Sequence, residues 1–121
     1  MQIRVLGSAA GGGFPQWNSN VGLNQALHEG TTRAEARTQS SIAVQGDNGR
    51  WLLINASPDI RQQILATPAL RAGPGERGIG IEAILLMDSQ IDHTTGLTLM
   101  REGAPLEIYC TRQVHEDLTT G

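Results

Sequence analysis

The chain has 121 residues, a formal net charge of −3, 15 glycines, a single cysteine and only one Phe, one Tyr and two Trp. That length suits one domain of about 100–150 residues, able to bury roughly two-thirds of its unfolded surface without disulfides or a structural metal. Scattered charges exclude nucleic-acid binding by bulk electrostatics, and the longest aliphatic stretch, residues 83–87, is far below the ~20 residues that cross a bilayer. Cys110 has no partner for an internal disulfide, and the first residues lack the basic segment and apolar run of a signal peptide. The expectation is a soluble, cytoplasmic chain.

Residues 3–9 read as a strand that runs into a glycine-rich stretch, Gly7-Ser8-Ala9-Ala10-Gly11-Gly12-Gly13-Phe14-Pro15. Residues 16–38 are polar and weakly patterned, with a helical piece expected over 32–37. Residues 40–45 and 50–55 read as strands joined by Gly46-Asp47-Asn48-Gly49, a turn whose residues accept positive φ cheaply. Ser57 as N-cap and Pro58 at the first helical position open a helix, with Ile60, Ile64 and Leu65 as its apolar stripe. The helix ends before Pro68, and residues 71–80 form a Gly/Pro-rich loop. A buried strand over 84–87, a helix over 97–101, a strand over 106–110 and a helix over 114–118 complete the chain. A β-rich start followed by β/α alternation predicts an α/β sandwich with a mixed sheet.

Chemistry concentrates in Leu85-Leu86-Met87-Asp88-Ser89-Gln90-Ile91-Asp92-His93-Thr94-Thr95-Gly96. A buried strand ends there and at once offers carboxylates and an imidazole, and α/β folds place their sites at the C-terminal ends of strands. A bland alternative exists: Asp88 as a helix cap, Asp92 bonded to backbone amides, His93 a satisfied half-buried residue. The strand context and Gly96 favour a site.

The segment resembles the H-x-H-x-D-H-x-x-G signature of the metallo-β-lactamase superfamily, keeping Asp92, His93 and Gly96 but carrying Asp88 and Gln90 where the first two histidines stand. An amide oxygen is a poor substitute for imidazole on zinc, so the first metal position is expected to be lost. The second, with Asp92 and His93, can hold one metal if further ligands arrive from elsewhere. Such an oxygen-rich set suits iron(II) or manganese better than a two-zinc hydrolase, although another divalent metal remains open. Losing both histidines argues against a phosphodiesterase or other hydrolase.

Further blocks are similar to the pyrroloquinoline quinone (PQQ) biosynthesis protein B family: residues 6–18, 36–41, 55–61, 87–96 and 115–121. The resemblance implies a metallo-β-lactamase-like αββα sandwich, of which residues 1–121 would be the first half, with the remaining metal ligands in the second. It implies a role in making PQQ from a peptide precursor, as an iron-dependent oxygenase that hydroxylates the tyrosine ring of a Glu-Tyr-derived intermediate. The alternative is a non-catalytic carrier of PQQ or its precursor. On this reading Asp92 and His93 ligate iron, Asp88 is a ligand or a base behind it, and Gln90 orients substrate or water. The resemblance also implies contact with other PQQ biosynthesis proteins.

Many family members place three cysteines where this chain has Ser19, Val21 and Asn24, so no structural zinc is expected; Cys110 is read as a core residue. Gly11, Gly12 and Gly13 could offer bare backbone amides to the carboxylates of the quinone or its precursor, and Arg37 could pair with one. His28 and His115 are read as solvent-facing. A first half alone would expose a sheet edge and an apolar face, with weak metal binding, no turnover and self-association as the expected consequences.

Overall fold

The computed structural model describes residues 1–120. Gly121, which closes the 115–121 block, lies outside the described residues.

Five strands, β1 (Gln2–Gly7), β2 (Ser41–Gln45), β3 (Trp51–Ile54), β4 (Ile81–Leu85) and β5 (Glu107–Tyr109), form one sheet in sequence order. The β1–β2 and β2–β3 pairs are antiparallel, and β3–β4 and β4–β5 are parallel, which makes the sheet mixed as expected. A tight turn with Gly49 at φ 77° joins β2 to β3. The parallel pairs need longer crossovers. Helix α2 (Ile60–Leu65) with the 3-10 turn Pro68–Leu70 supplies the first, and α3 (Ile91–Thr94) with α4 (Gly96–Leu99) the second. Helix α1 (Gly22–His28) precedes β2, and α5 (Arg112–Thr119) follows β5.

The register sorts side chains by face. Ala43, Leu53 and Ile84 are cross-strand neighbours with 0–1% exposure, and they join Ala56, Ile60, Leu70, Leu86 and Val114 in one core cluster. The pleat turns Ile3, Val5, Ile42, Val44, Leu52, Ile54, Leu85 and Tyr109 to the opposite face. That second face is apolar and much of it is open to solvent, with Val5 at 69% exposure.

Several elements depart from the sequence reading. No helix forms over residues 32–37: Arg37 instead makes an isolated antiparallel bridge to Phe14, so this stretch runs extended beside the glycine loop. The helix of this polar region is α1, stabilised without a strong apolar stripe, for which reason periodicity missed it. Helix α2 starts at Ile60 with Asp59 at its N-cap position, two residues later than expected. Ser57 still organises that start, its Oγ accepting the Asp59 N–H at 3.2 Å and donating to Gln63 Oε1 at 2.9 Å. Strand β4 begins three residues before the expected 84–87 strand and stops at Leu85, where the chain turns into the polar segment. The helix expected over 97–101 is displaced to 96–99 and is preceded by α3. Cys110 is half-buried and packs against the core cluster, while His28 and His115 are exposed.

Candidate metal centre

The end of β4 is set by Asn55. Its backbone N–H donates to the Leu85 carbonyl at 2.9 Å, and its side-chain oxygen accepts the Met87 N–H at 3.0 Å. Asn55 does this at φ 65°, a left-handed conformation that asparagine tolerates better than most residues. The chain then leaves the sheet at Asp88. Asp88 Oδ1 accepts the Gln90 N–H at 3.0 Å, closing a local turn that delivers residues 91–94 into α3.

Within that turn Asp88 Oδ1 lies 2.7 Å from His93 Nδ1. An ionised carboxylate only accepts, so Nδ1 carries the proton and donates. His93 and then the Gln90 amide hold the Asp88 carboxyl below the usual carboxylate range, which keeps it ionised. In the neutral ring with its proton on Nδ1, the other nitrogen, Nε2, presents its lone pair on the side of Asp92, whose Oδ2 is 3.7 Å away. Side-chain exposure falls from 40% at Asp88 to 19% at Asp92 and 17% at His93.

This donor pair fits a cation. Two donors ~2.1 Å from a shared ion at the tetrahedral angle lie ~3.4 Å apart, close to the observed separation. A carboxylate behind the distal ring nitrogen is the usual support for a metal-bound histidine, fixing tautomer and ring orientation. Among the described residues no group of three or more His, Cys, Asp or Glu has metal-holding geometry, so Asp92 and His93 are a two-donor set.

Gly96 is held by packing. Its N–H donates to the Ala56 carbonyl at 2.9 Å, the Ala56 N–H donates to the His93 carbonyl at 2.8 Å, and a Cβ at residue 96 would lie 2.3 Å from the Ser57 carbonyl oxygen. Glycine thus lets α3 and α4 press onto the segment after β3, which fixes His93.

The glycine-rich loop comes to the same place. A Cβ on Gly11 would sit 3.4 Å from Asp92 Cγ and Oδ2, so Gly11 faces the Asp92 carboxylate across about the space of a methyl group. The Gly12 N–H donates to Gln39 Oε1 at 3.0 Å and the Gly13 N–H to the Ala10 carbonyl at 3.0 Å, so both amides are engaged within the chain. Gly12, Gly13 and Arg37 line a cleft of about 260 Å³ together with Asp59. Asp88, Asp92, His93 and Gly11 thus form one group, with Gln90 exposed at its edge and Arg37 in the adjoining cleft. Sequence reasoning missed Gln39 and the anchoring role of Asn55; the sign for Asn55 was a turn-forming residue closing an apolar strand. Asn24 accepts the Gln16 N–H at 2.7 Å and donates to Ser19 Oγ at 3.2 Å.

Residues 50–121 match the beta-lactamase superfamily domain. Over its whole length the chain is 59% identical to the coenzyme PQQ synthesis protein B of Azotobacter vinelandii and 58% identical to that of Pseudomonas aeruginosa PAO1. It spans 40% of the length of each of these relatives. Among solved structures, zinc-bound PqqB from Methylobacterium extorquens superposes with a TM-score of 0.92 at 46% identity, over the full chain and 40% of that protein. A diphosphatase of the PhnP family superposes with a TM-score of 0.69 at 23% identity, over 97% of the chain and 45% of that protein, a likeness of fold.

Proposed function

We propose that this chain, which belongs to the beta-lactamase superfamily, supplies one part of the metal centre of a protein that makes PQQ, as the first half of a metallo-β-lactamase-like domain. The observation that carries this reading is the His93 ring, held by Asp88 at 2.7 Å with Nε2 facing Asp92 at 3.7 Å. Asp92 and His93 hold the ion, and further ligands come from outside this chain. Bound iron(II) would supply the redox chemistry by which O₂ hydroxylates the tyrosine ring of a Glu-Tyr-derived precursor, one oxygen atom entering the ring and the other leaving as water with two electrons from an external reductant. The chain's own residues do the rest. Asp88 keeps the proton on Nδ1, Gln90 presents an exposed amide for orienting substrate or water, and Arg37 pairs with a precursor carboxylate at the adjoining cleft. Working partners would be the precursor and other PQQ biosynthesis proteins, in the cytoplasm.

The test replaces the matching segment of the Azotobacter vinelandii relative with this chain and adds ferrous iron anaerobically. One iron per chimera, and O₂ uptake on adding the tyrosine-containing precursor with a two-electron reductant, are expected, both lost in Asp92→Ala and His93→Ala. Iron binding or turnover that survives these substitutions contradicts the reading.

A second reading, a carrier of PQQ or its precursor, draws on the cleft that Arg37 lines together with Asp59, where the one guanidinium can pair with a ligand carboxylate. It predicts quinone binding that persists after metals are chelated, whereas the metal-centre reading predicts that chelation removes it. Calorimetry before and after chelation separates the two.

A further inference from the structure

The glycine loop is pinned at both ends. Ala9 pairs with residues 38–40 through an N–H to the Thr38 carbonyl at 2.9 Å and a carbonyl to the Ser40 N–H at 2.8 Å. Phe14 pairs with Arg37 in both directions. Between these bridges lie residues 10–13, and Gly11 faces the Asp92 carboxylate, which a Cβ at residue 11 would meet at 3.4 Å. One side chain bonds to this loop. Gln39, only 8% exposed, accepts the Gly12 N–H at 3.0 Å through Oε1. Its own position is held by Asp59, whose Oδ2 accepts the Gln39 backbone N–H at 2.9 Å and the Nε2 donor at 3.1 Å. Behind it, Gln63 Nε2 donates to the Gln39 carbonyl at 2.8 Å, and Ser57 donates to Gln63 Oε1. A buried amide that spends both its donor and its acceptor on one loop and one carboxylate has one orientation, because any other leaves a buried polar group unpaired.

We infer that Gln39, held by Asp59, is a positioning residue that fixes the glycine loop against Asp92 and so sets the carboxylate's orientation toward the metal. This rests on the reading of Asp92 as a ligand. Gln39 contacts neither Asp92 nor the ion; it acts through Gly12 and the neighbouring Gly11. Only an amide meets both neighbours here: a glutamate side chain would keep the acceptor for Gly12 but set a second carboxylate against Asp59.

The experiment follows ¹⁵N-labelled and ¹³C-labelled chain by NMR, with zinc as the probe metal. In Gln39→Ala the Gly12 amide is expected to exchange roughly tenfold faster, the scale of one lost hydrogen bond. The Gly11 amide and Asp92 carboxyl resonances should shift, and zinc affinity should fall roughly tenfold, as for groups that orient ligands. Gln39→Glu should behave alike. Adding Asp59→Asn to it should restore part of the Gly12 protection by removing the like charge. The restoration is partial because the one atom of residue 59 that meets both groups of residue 39 can then donate or accept, but not both. A global fold defect would instead raise exchange across the core. Unchanged Gly12 exchange in Gln39→Ala overturns the clamp. Lost Gly12 protection with unmoved Asp92 resonances overturns the positioning role. If the unsubstituted chain binds no zinc, the metal reading fails, while Gly12 exchange and the Asp92 resonance still decide on Gln39.

Discussion

A carboxylate that accepts from His93 Nδ1 does more than hold a ring still: it chooses which nitrogen carries the lone pair. On the proposed reading Asp88 therefore sits behind the metal ligands and is not the third of them. Asp88→Asn keeps the shape but makes the bond ambiguous, since an amide can donate to the ring as well as accept from it. Divalent-metal affinity should drop roughly 10–100-fold in that variant, with little change in melting temperature. Calorimetric titration checks it, and undiminished affinity would show that Asp88 is only a turn-former. Asp88 does not cap α3, whose N-cap is Gln90 without a side-chain cap bond; its Oδ1 instead takes both the Gln90 amide and the ring, closing the turn before the helix.

At the scale of elements, the site depends on how closely α3 and α4 approach the segment after β3. Gly96→Ala would push a methyl group into the backbone of residues 56 and 57. A loss of about 1–3 kcal/mol or more is expected, the range for overpacking a close contact, measurable by urea denaturation. Helix α5 is tied to the same turn from the other side. Ser89 Oγ donates to Asp117 Oδ2 at 2.7 Å and Gln113 to Oδ1 at 2.8 Å, and these two bonds, Ser89 first, hold the Asp117 carboxyl below its ordinary value. A depressed folded pKa means that this tie is in full force above the ordinary carboxylate pKa and is lost as pH falls through the lowered one. The ¹³C titration of Asp117 should show a midpoint below the usual carboxylate value, moving upward in Ser89→Ala. The strands and the hairpin were legible because their apolar runs are bounded by Gly, Asn and Asp. Helix α1 and the true starts of α2 and β4 were not, since local hydrogen bonds of Ser57 and tertiary pairing decide those boundaries. Asp92, His93 and Gly96 were legible from spacing; Gln39 was not, because its partners lie 20 and 27 residues away.

For the whole molecule, the sheet has one finished face and one open face. Helices cover the Ala43–Leu53–Ile84 side, whereas Ile3, Val5, Val44, Leu52 and Tyr109 form an apolar surface on the other. Contiguous apolar surface of this kind drives association. Sedimentation should show concentration-dependent self-association of the chain, reduced by Val5→Glu without loss of helical signal. A monomer at all concentrations would mean that this face is tolerated in water. On the proposed function, the PQQ pathway, the iron and the remaining ligands would belong to a longer assembly.

The metal reading of the site requires Asp92 and His93 to share one ion. Ferrous iron is paramagnetic, so anaerobic titration followed by ¹H–¹⁵N NMR registers even weak binding through local line broadening. Broadening is expected to be confined to residues around Gly11, Asp92 and His93, and to be abolished in His93→Ala. Broadening centred elsewhere, or equal in His93→Ala, would contradict the shared ion.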